Sequence, residues 1–419
     1  MSESATVTIE RIAAGGDGIA RHDSMVVFVP RAVPGDEVEV TLTRQRTFAR
    51  GRVTRVVTAS PDRETPPCPH YDGDGCGGCQ LQGLRYEAQL AVKGELVRDA
   101  IVRIARQPVD AVTVVASPSP WGYRNALTLA LQRDRMRPSG WLAGMHVAGE
   151  PGTLFELRTC LIAMPEVMEG WRQVMTVAEH LPRASSLRVT VRRLGVGGLA
   201  LTVEGGTQWK QASIEALVSG VRDLDAVWWV RADEVRVLRH DRRTAQEAGA
   251  SFAQVNPAVA ELLRAYVVAQ VEARAPDAVV DAYAGSGALA ARLLRDGRRV
   301  TAIELDKDAS AIAGAALHDH PLSRVLTGRV EHLLPEGLPA GVVVLNPPRA
   351  GVDATVPPML AATKAGVARV VYVSCDPATL ARDIARLGAG WRVTDVKAFD
   401  MFPQTAHVET VCTIDREEA

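Results

Sequence analysis

The sequence predicts an α/β protein with a doubly wound, Rossmann-like domain at its C-terminus, preceded by a small N-terminal β-barrel and a central α+β segment. Three observations carry this expectation. Residues 1–60 read as short strands broken by glycine turns. Beyond residue 246, apolar strands alternate with Ala-rich helices. The stretch between, 61–245, mixes both patterns. A chain of 419 residues has the length for two or three such domains, each able to bury a core without disulfides.

In the first segment VTIERIA, MVVFVP, EVEVTLTR and RGRVTRVV are punctuated by AGGDG and VPGDE. About five short strands in 60 residues suit an oligonucleotide-binding-type barrel. SPDRETPPCPH is a Pro-rich linker into a cysteine cluster, and YEAQLAVKGELVRDAIVRIA carries helical periodicity. LTLALQR, SSLRVTVRRL, GLALTVEG and AVWWVRAD supply the strands of the central segment. AVVDAYAG, RRVTAIEL, AGVVVLNPP and ARVVYVSC then alternate with helices, which argues for a parallel sheet with ligands bound beyond the carboxyl ends of its strands.

Composition narrows the class. With 47% hydrophobic and 23% charged residues, chain-wide disorder and a fibrous protein are excluded. A net charge of −1 gives no global positive field, but the basic residues are nearly all arginine and are grouped. Arg44, Arg46, Arg50, Arg52 and Arg55 form one cluster, and Arg236, Arg239, Arg242 and Arg243 a second around Asp241. Such groups can follow phosphates, or simply be solvated faces. MSESATV carries no basic-then-apolar leader, and no apolar run approaches the ~18 residues of a membrane span. The expectation is a cytoplasmic monomer without disulfides, whose cysteines serve metal binding or catalysis.

Three stretches carry chemistry. AVVDAYAGSGALAARLL is a strand, a glycine turn and a helix, and about twenty residues later VTAIELD ends a second strand at Glu304, placed to accept from ribose hydroxyls. Ala290 stands where a dinucleotide fingerprint needs its third glycine, which favours S-adenosylmethionine over NAD. VVYVSCDPATLARDI puts Cys375 directly after an apolar strand, before Pro377 and a helix whose terminal amides would favour a thiolate. In FDMFPQTAHVETVCTI, His407 and Glu409 alternate with Val408 and Val411, so both are expected on one face, either being a candidate general base. Cys412 reads as core. Cys68, Cys76, Cys79 and Cys160 have a CxxC-containing spacing that suits an iron–sulfur or a zinc site.

FAQVNPAVAELL, DAYAGSG, NPPRAGVD, YVSCDPATLARD and DMFPQTAHVETV, in this order and spacing, resemble the uracil-5 RNA methyltransferases, which form 5-methyluridine in tRNA and 23S rRNA. The resemblance covers nearly the whole chain. It implies a class I methyltransferase domain at 246–419, an RNA-binding TRAM domain at 1–60, and a central domain at 61–245 whose Cys68, Cys76, Cys79 and Cys160 hold a four-iron, four-sulfur cluster. It implies Cys375 as nucleophile and Glu409 as proton acceptor. Gln254, Tyr283, Gly285, Glu304 and Asn346 fall at cofactor positions, and Phe252, Asn346 and Arg349 at substrate positions. Three residues depart from the family pattern: Asn346 replaces an aspartate, and Ala288 and Arg329 stand where polar or acidic cofactor contacts are usual. Those departures leave two alternatives open, a non-catalytic RNA-binding or chaperone protein on the same scaffold, and a cytosine-5 RNA methyltransferase.

Overall fold

A computed structural model describes residues 3–243 and 254–417. The N-terminal sheet has six strands: β1 (Glu3–Thr8), β2 (Arg11–Ile12), β3 (Gly18–His22), β4 (Met25–Val29), β5 (Glu37–Arg44) and β6 (Phe48–Thr58). Their order is β1-β5-β6-β4-β3-β2. Alternation decides which face is buried: in β5, Val38, Val40 and Leu42 enter the core while Glu37, Glu39 and Thr41 turn outward. The first arginine cluster lies on the outward side of β5 and β6, where Arg44, Arg50 and Arg55 pair with Glu3, Asp17 and Glu39. Much of its positive charge is therefore locally compensated.

The chain forms two compact units. One gathers Met1–Thr65, Gln80–Pro118 and Ala258–Ala419; the other is Pro66–Cys79 with Ser119–Pro257. Helix α2 (Tyr86–Ala100) and strand β7 (Thr113–Val115) thus belong with the C-terminal fold, although both fall inside the 61–245 segment expected from sequence. The reason is packing. Val97 and Ile101 share a core with Leu380 and Ile384, and β7 pairs in parallel with the last residues of β20.

The C-terminal sheet comprises β15 (Ala278–Ala282), β16 (Arg299–Glu304), β17 (Ser323–Thr327), β18 (Val342–Leu345), β19 (Arg369–Ser374), β20 (Trp391–Phe399) and β21 (Glu409–Arg416). With β7 it has the order β17-β16-β15-β18-β19-β21-β20-β7. Strands β15 to β19 pair in parallel, as their unbroken apolar runs predict for a sheet covered on both faces. Helices α5 (Pro257–Glu272), α6 (Ala288–Arg292) and α7 (Lys307–Leu317) pack on one face; α2, α8 (Val330–Gly337), α9 (Val356–Ala361) and α10 (Pro377–Leu387) pack on the other. Strand β21 is inserted antiparallel between β19 and β20.

In the second unit β8 (Ala126–Arg133), β9 (Trp141–Val147), β10 (Glu150–Glu156), β11 (Ser186–Arg193), β12 (Leu199–Glu204), β13 (Leu224–Val230) and β14 (Arg236–Asp241) form one sheet. Helices α3 (Pro165–Thr176) and α4 (Gln211–Gly220) bury Trp171, Ile214 and Leu217 in the core beside its apolar residues, while α1 (Pro69–Asp72) is a single turn in the cysteine segment. The second arginine cluster is engaged here: Arg243 stacks on Trp228 at 4.6 Å and pairs with Asp241, and Arg239 sits 5.7 Å from the Trp229 ring.

Candidate active site

Strand β19 ends at Ser374, and the Asp376 carboxylate accepts from the Thr379 amide at 2.8 Å to cap α10, with Pro377 opening the helix. Cys375 is the single residue between strand and cap. Across the sheet the antiparallel register pairs Ser374 with Thr410. Continuing that ladder by one residue sets Cys375 opposite Glu409, and residues directly opposite in an antiparallel pair share a face.

The charges follow from that placement. Glu409 is 3% exposed, and burial pushes its carboxyl up to about 8, against the opposing pull of the Arg349 guanidinium. Burial also raises the Cys375 thiol, and the neighbouring Glu409 charge raises it further; the Arg349 guanidinium works the other way. The expected lowering of the thiol by helix-terminal amides is therefore overturned, because burial and a like charge outweigh it. His407 does not share the Glu409 face: it precedes β21, is exposed, and lies 6.0 Å from the Phe402 ring. Cys412 is fully buried in the core, as expected.

Arg349 reaches the pair from the loop after β18. Asn346 starts that loop with its amide on the Ala282 carbonyl at 3.2 Å, and Gly351 (φ +81°) turns it. Asp383, an acid not singled out from sequence, anchors the loop: its buried carboxylate accepts from the Val352 amide at 3.0 Å, the Tyr372 hydroxyl at 2.8 Å, and Arg382 and Arg386. The signal available was an acid on the apolar face of α10.

The glycine turn follows β15. Tyr283, Gly285 and Gly287 all have positive φ (+62°, +56° and +75°). At Gly287 a Cβ would fall 2.8 Å from the Ala313 side chain, whereas at Gly285 it would meet nothing within 4 Å, leaving the backbone open on that side. Glu304 accepts from the Gly285 amide at 2.8 Å and from the Asp306 amide at 2.7 Å, one on each oxygen, and retains lone pairs. Asp281, also missed from sequence, sits beneath the turn. Burial pushes its carboxyl up to about 7, the Ala290 amide opposes this, and its Oδ2 has no hydrogen-bond partner. An acid within an otherwise apolar strand was the legible sign. Ala288 opens α6, and Arg329 pairs with Glu331 at 3.1 Å. Gln254 lies in the other unit, where its carbonyl accepts from the Asn125 amide group at 3.4 Å; Phe252 lies outside the described residues.

Residues 329–417 match the family model tRNA (Uracil-5-)-methyltransferase, and residues 3–54 match the TRAM domain. An uncharacterized RNA methyltransferase of Gloeobacter violaceus is 35% identical, across 99% of this chain and 97% of its own length. Another, from Halalkalibacterium halodurans, is 30% identical across 98% and 96%. The chain belongs to the RNA methyltransferase family. Its fold agrees with the crystal structure of Pyrococcus abyssi tRNA (uracil-54, C5)-methyltransferase in complex with S-adenosyl-L-homocysteine: the TM-score is 0.70, covering 98% of this chain and 100% of that one, at 23% identity. Among the described residues no helix is long and apolar enough to cross a membrane.

The methyltransferase has a second cluster of chemistry in its other unit. None of its six cysteines is in a disulfide. Cys68, Cys79 and Cys160 pack with Tyr71, Trp121, Tyr123 and Ile162, and the Cys160 thiol is raised by burial and by the nearby Cys76 and Cys68 sulfurs. His70 ties the two cysteine segments together. Its Nε2 accepts from the Arg158 and Thr159 amides at 3.2 and 3.3 Å, which places its proton on Nδ1, 2.6 Å from Asp74. Tetrahedral zinc at about 2.3 Å from each thiolate needs sulfurs about 3.8 Å apart. Among the described residues the one group of three ligand atoms mutually within 4.8 Å is Glu3, His22 and Asp23, so no three thiols are that close.

Proposed function

We propose that this enzyme methylates carbon 5 of a uridine in 23S rRNA or tRNA through a covalent adduct on Cys375. The observation that carries the reading is the β19–β21 register, which supports Cys375 and Glu409 acting on one base, with the Arg349 charge acting on both.

Carbon 5 of uracil is too weak a nucleophile to take a methyl group unaided. The Cys375 thiolate, favoured by Arg349, forms a bond to carbon 6 and converts carbon 5 into an enolate carbon. S-adenosylmethionine supplies an electrophilic methyl group on its sulfonium. Once carbon 5 is methylated, Glu409 takes the carbon-5 proton, the carbon 6–sulfur bond breaks, and the thiolate returns. A carboxyl poised at about 8 suits this task, because it takes and releases a proton near neutral pH. The amide oxygen of Asn346 accepts from the uracil N–H in place of a carboxylate. A base reached from both faces must be out of its stack, so the uridine is flipped or in a loop.

The open backbone at Gly285, the orphaned Asp281 oxygen and the spare lone pairs on Glu304 fit S-adenosylmethionine, with Tyr283 and Asn346 as further contacts. Four thiols, those of Cys68, Cys76, Cys79 and Cys160, are the donor set of a four-iron, four-sulfur cluster, and the packing of Cys68, Cys79 and Cys160 together supports that reading. Such a cluster would staple the two cysteine segments, since methyl transfer needs no redox step. The TRAM barrel and its arginines would carry the RNA backbone.

The test is incubation of anaerobically purified protein with methyl-labelled S-adenosylmethionine and RNA lacking 5-methyluridine, with Cys375→Ala alongside. Label in 5-methyluridine, absent with the variant, is expected. Label in 5-methylcytidine would move the assignment to cytosine. No label in any nucleoside would leave an RNA-binding protein.

A further inference from the structure

The nine-residue segment Asp400–Val408 joins β20 to β21 and delivers Glu409 to the site, yet it has no regular structure of its own. Glu409 is the first residue of β21, at the end of its ladder with Phe399 of β20, and the loop leading into it is fixed only if something else holds it. The holder is α2. Tyr86, Gln89 and Lys93 recur at i, i+3 and i+7, on one face of the helix, and that face is turned inward. These are residue types that water ordinarily solvates, but Gln89 and Lys93 are fully buried.

Each grips a different point of the loop. Lys93 Nζ lies 2.5 Å from Asp400 Oδ1 and donates to the Phe402 carbonyl at 3.0 Å. The Tyr86 hydroxyl donates to Asp400 Oδ2 at 2.8 Å while accepting from the Ser117 amide at 2.9 Å. Gln89 exchanges two bonds with Gln404, giving Nε2 to its side-chain oxygen and taking its amide proton on Oε1, both at 3.0 Å. Just before the helix, Gln80 Oε1 accepts from the Ala406 amide at 3.3 Å. The loop is therefore held at Asp400, Phe402, Gln404 and Ala406, every second residue up to the strand that begins with Glu409. Fold stability alone does not call for this arrangement, since an apolar pair in place of a buried ion pair is often no less stable.

We propose that Tyr86, Gln89 and Lys93 are positioning residues for Glu409. They touch neither base nor cofactor; their effect is confined to the last step, removal of the carbon-5 proton with release of Cys375. The inference rests on the covalent reading given above, and its test separates the two.

With 5-fluorouridine RNA the fluorine at carbon 5 blocks proton removal, so adduct formation reports Cys375 attack and methyl transfer only. With uridine RNA, turnover also needs Glu409. The variants are Tyr86→Phe, which deletes one hydroxyl, and Lys93→Met/Asp400→Asn, which removes both buried charges together. Expected are a kcat on uridine RNA lower by about tenfold or more, an RNA KM and a 5-fluorouridine adduct rate within about twofold of wild type, and a methyl-labelled, SDS-stable adduct that accumulates on uridine RNA. Glu409→Gln should give the same pattern, and adding Tyr86→Phe to it should lower turnover no further. The proposal is overturned if the two rates fall by the same factor, or if Tyr86→Phe turns over uridine RNA at the wild-type rate. A wild-type enzyme forming no 5-fluorouridine adduct would instead overturn the covalent reading.

Discussion

Replacing Glu409 by glutamine should make the protein more stable at alkaline pH while stopping catalysis. Burial holds the Glu409 carboxyl at about 8, against 4.5 for the same group in water. Below about pH 4.5 the folded and unfolded chains both carry the proton, and no difference arises. Between about 4.5 and 8 only the folded chain carries it, so stability falls with rising pH by about 1.4 kcal/mol per pH unit. Above about 8 both states are ionised and the loss is complete, at about 5 kcal/mol. Glutamine has the same shape and no titration. Relative to wild type, Glu409→Gln should therefore gain about 4 kcal/mol between pH 5 and 8.5. Asp281, pushed up to about 7, titrates in the same window but is common to both proteins and cancels in the comparison. The assay is urea unfolding of both proteins at half-unit pH steps, read from the transition of the unit that holds the site. A difference flat in pH, or one that shrinks as pH rises, would refute the buried-carboxylate argument and with it the assignment of Glu409 as a base poised near neutrality.

Arg349→Met removes the cation that favours the Cys375 thiolate, so iodoacetamide should alkylate Cys375 more slowly at pH 8; faster alkylation would contradict the contact. Gly351→Ala places a Cβ at φ +81°, within 2.3 Å of Asp383 Oδ2 and 2.4 Å of an Arg382 nitrogen, and should destabilise by about 2 kcal/mol or more in thermal or urea unfolding, with loss of methylation. Cys76→Ser should reduce anaerobically bound iron and acid-labile sulfide to background, measured by direct analysis of the protein.

Much of the site was legible because its residues sit at chain positions that local chemistry marks. Cys375 follows an apolar strand and precedes a capped, proline-started helix; the glycine turn and Glu304 end successive strands. Asp281 and Asp383 escaped notice because an acid among apolar residues gains its meaning only from burial, which neighbours distant in sequence create. The same holds for α2. Its periodicity announces a helix, but the polar stripe of Tyr86, Gln89 and Lys93 reads as a solvated face until the Asp400–Val408 loop is packed on it.

The alternation of apolar strands and helices determined, without any tertiary information, a doubly wound sheet and the strand end where Cys375 lies. Those patterns are local, because a strand's burial on both faces is written in its own residues. Only the fold decided that β21 enters antiparallel between β19 and β20, that this register sets Glu409 rather than His407 across from Cys375, and that burial raises the thiol instead of lowering it. Register and desolvation are properties of pairs and of surroundings, and segments far apart in sequence acquire them only by packing together.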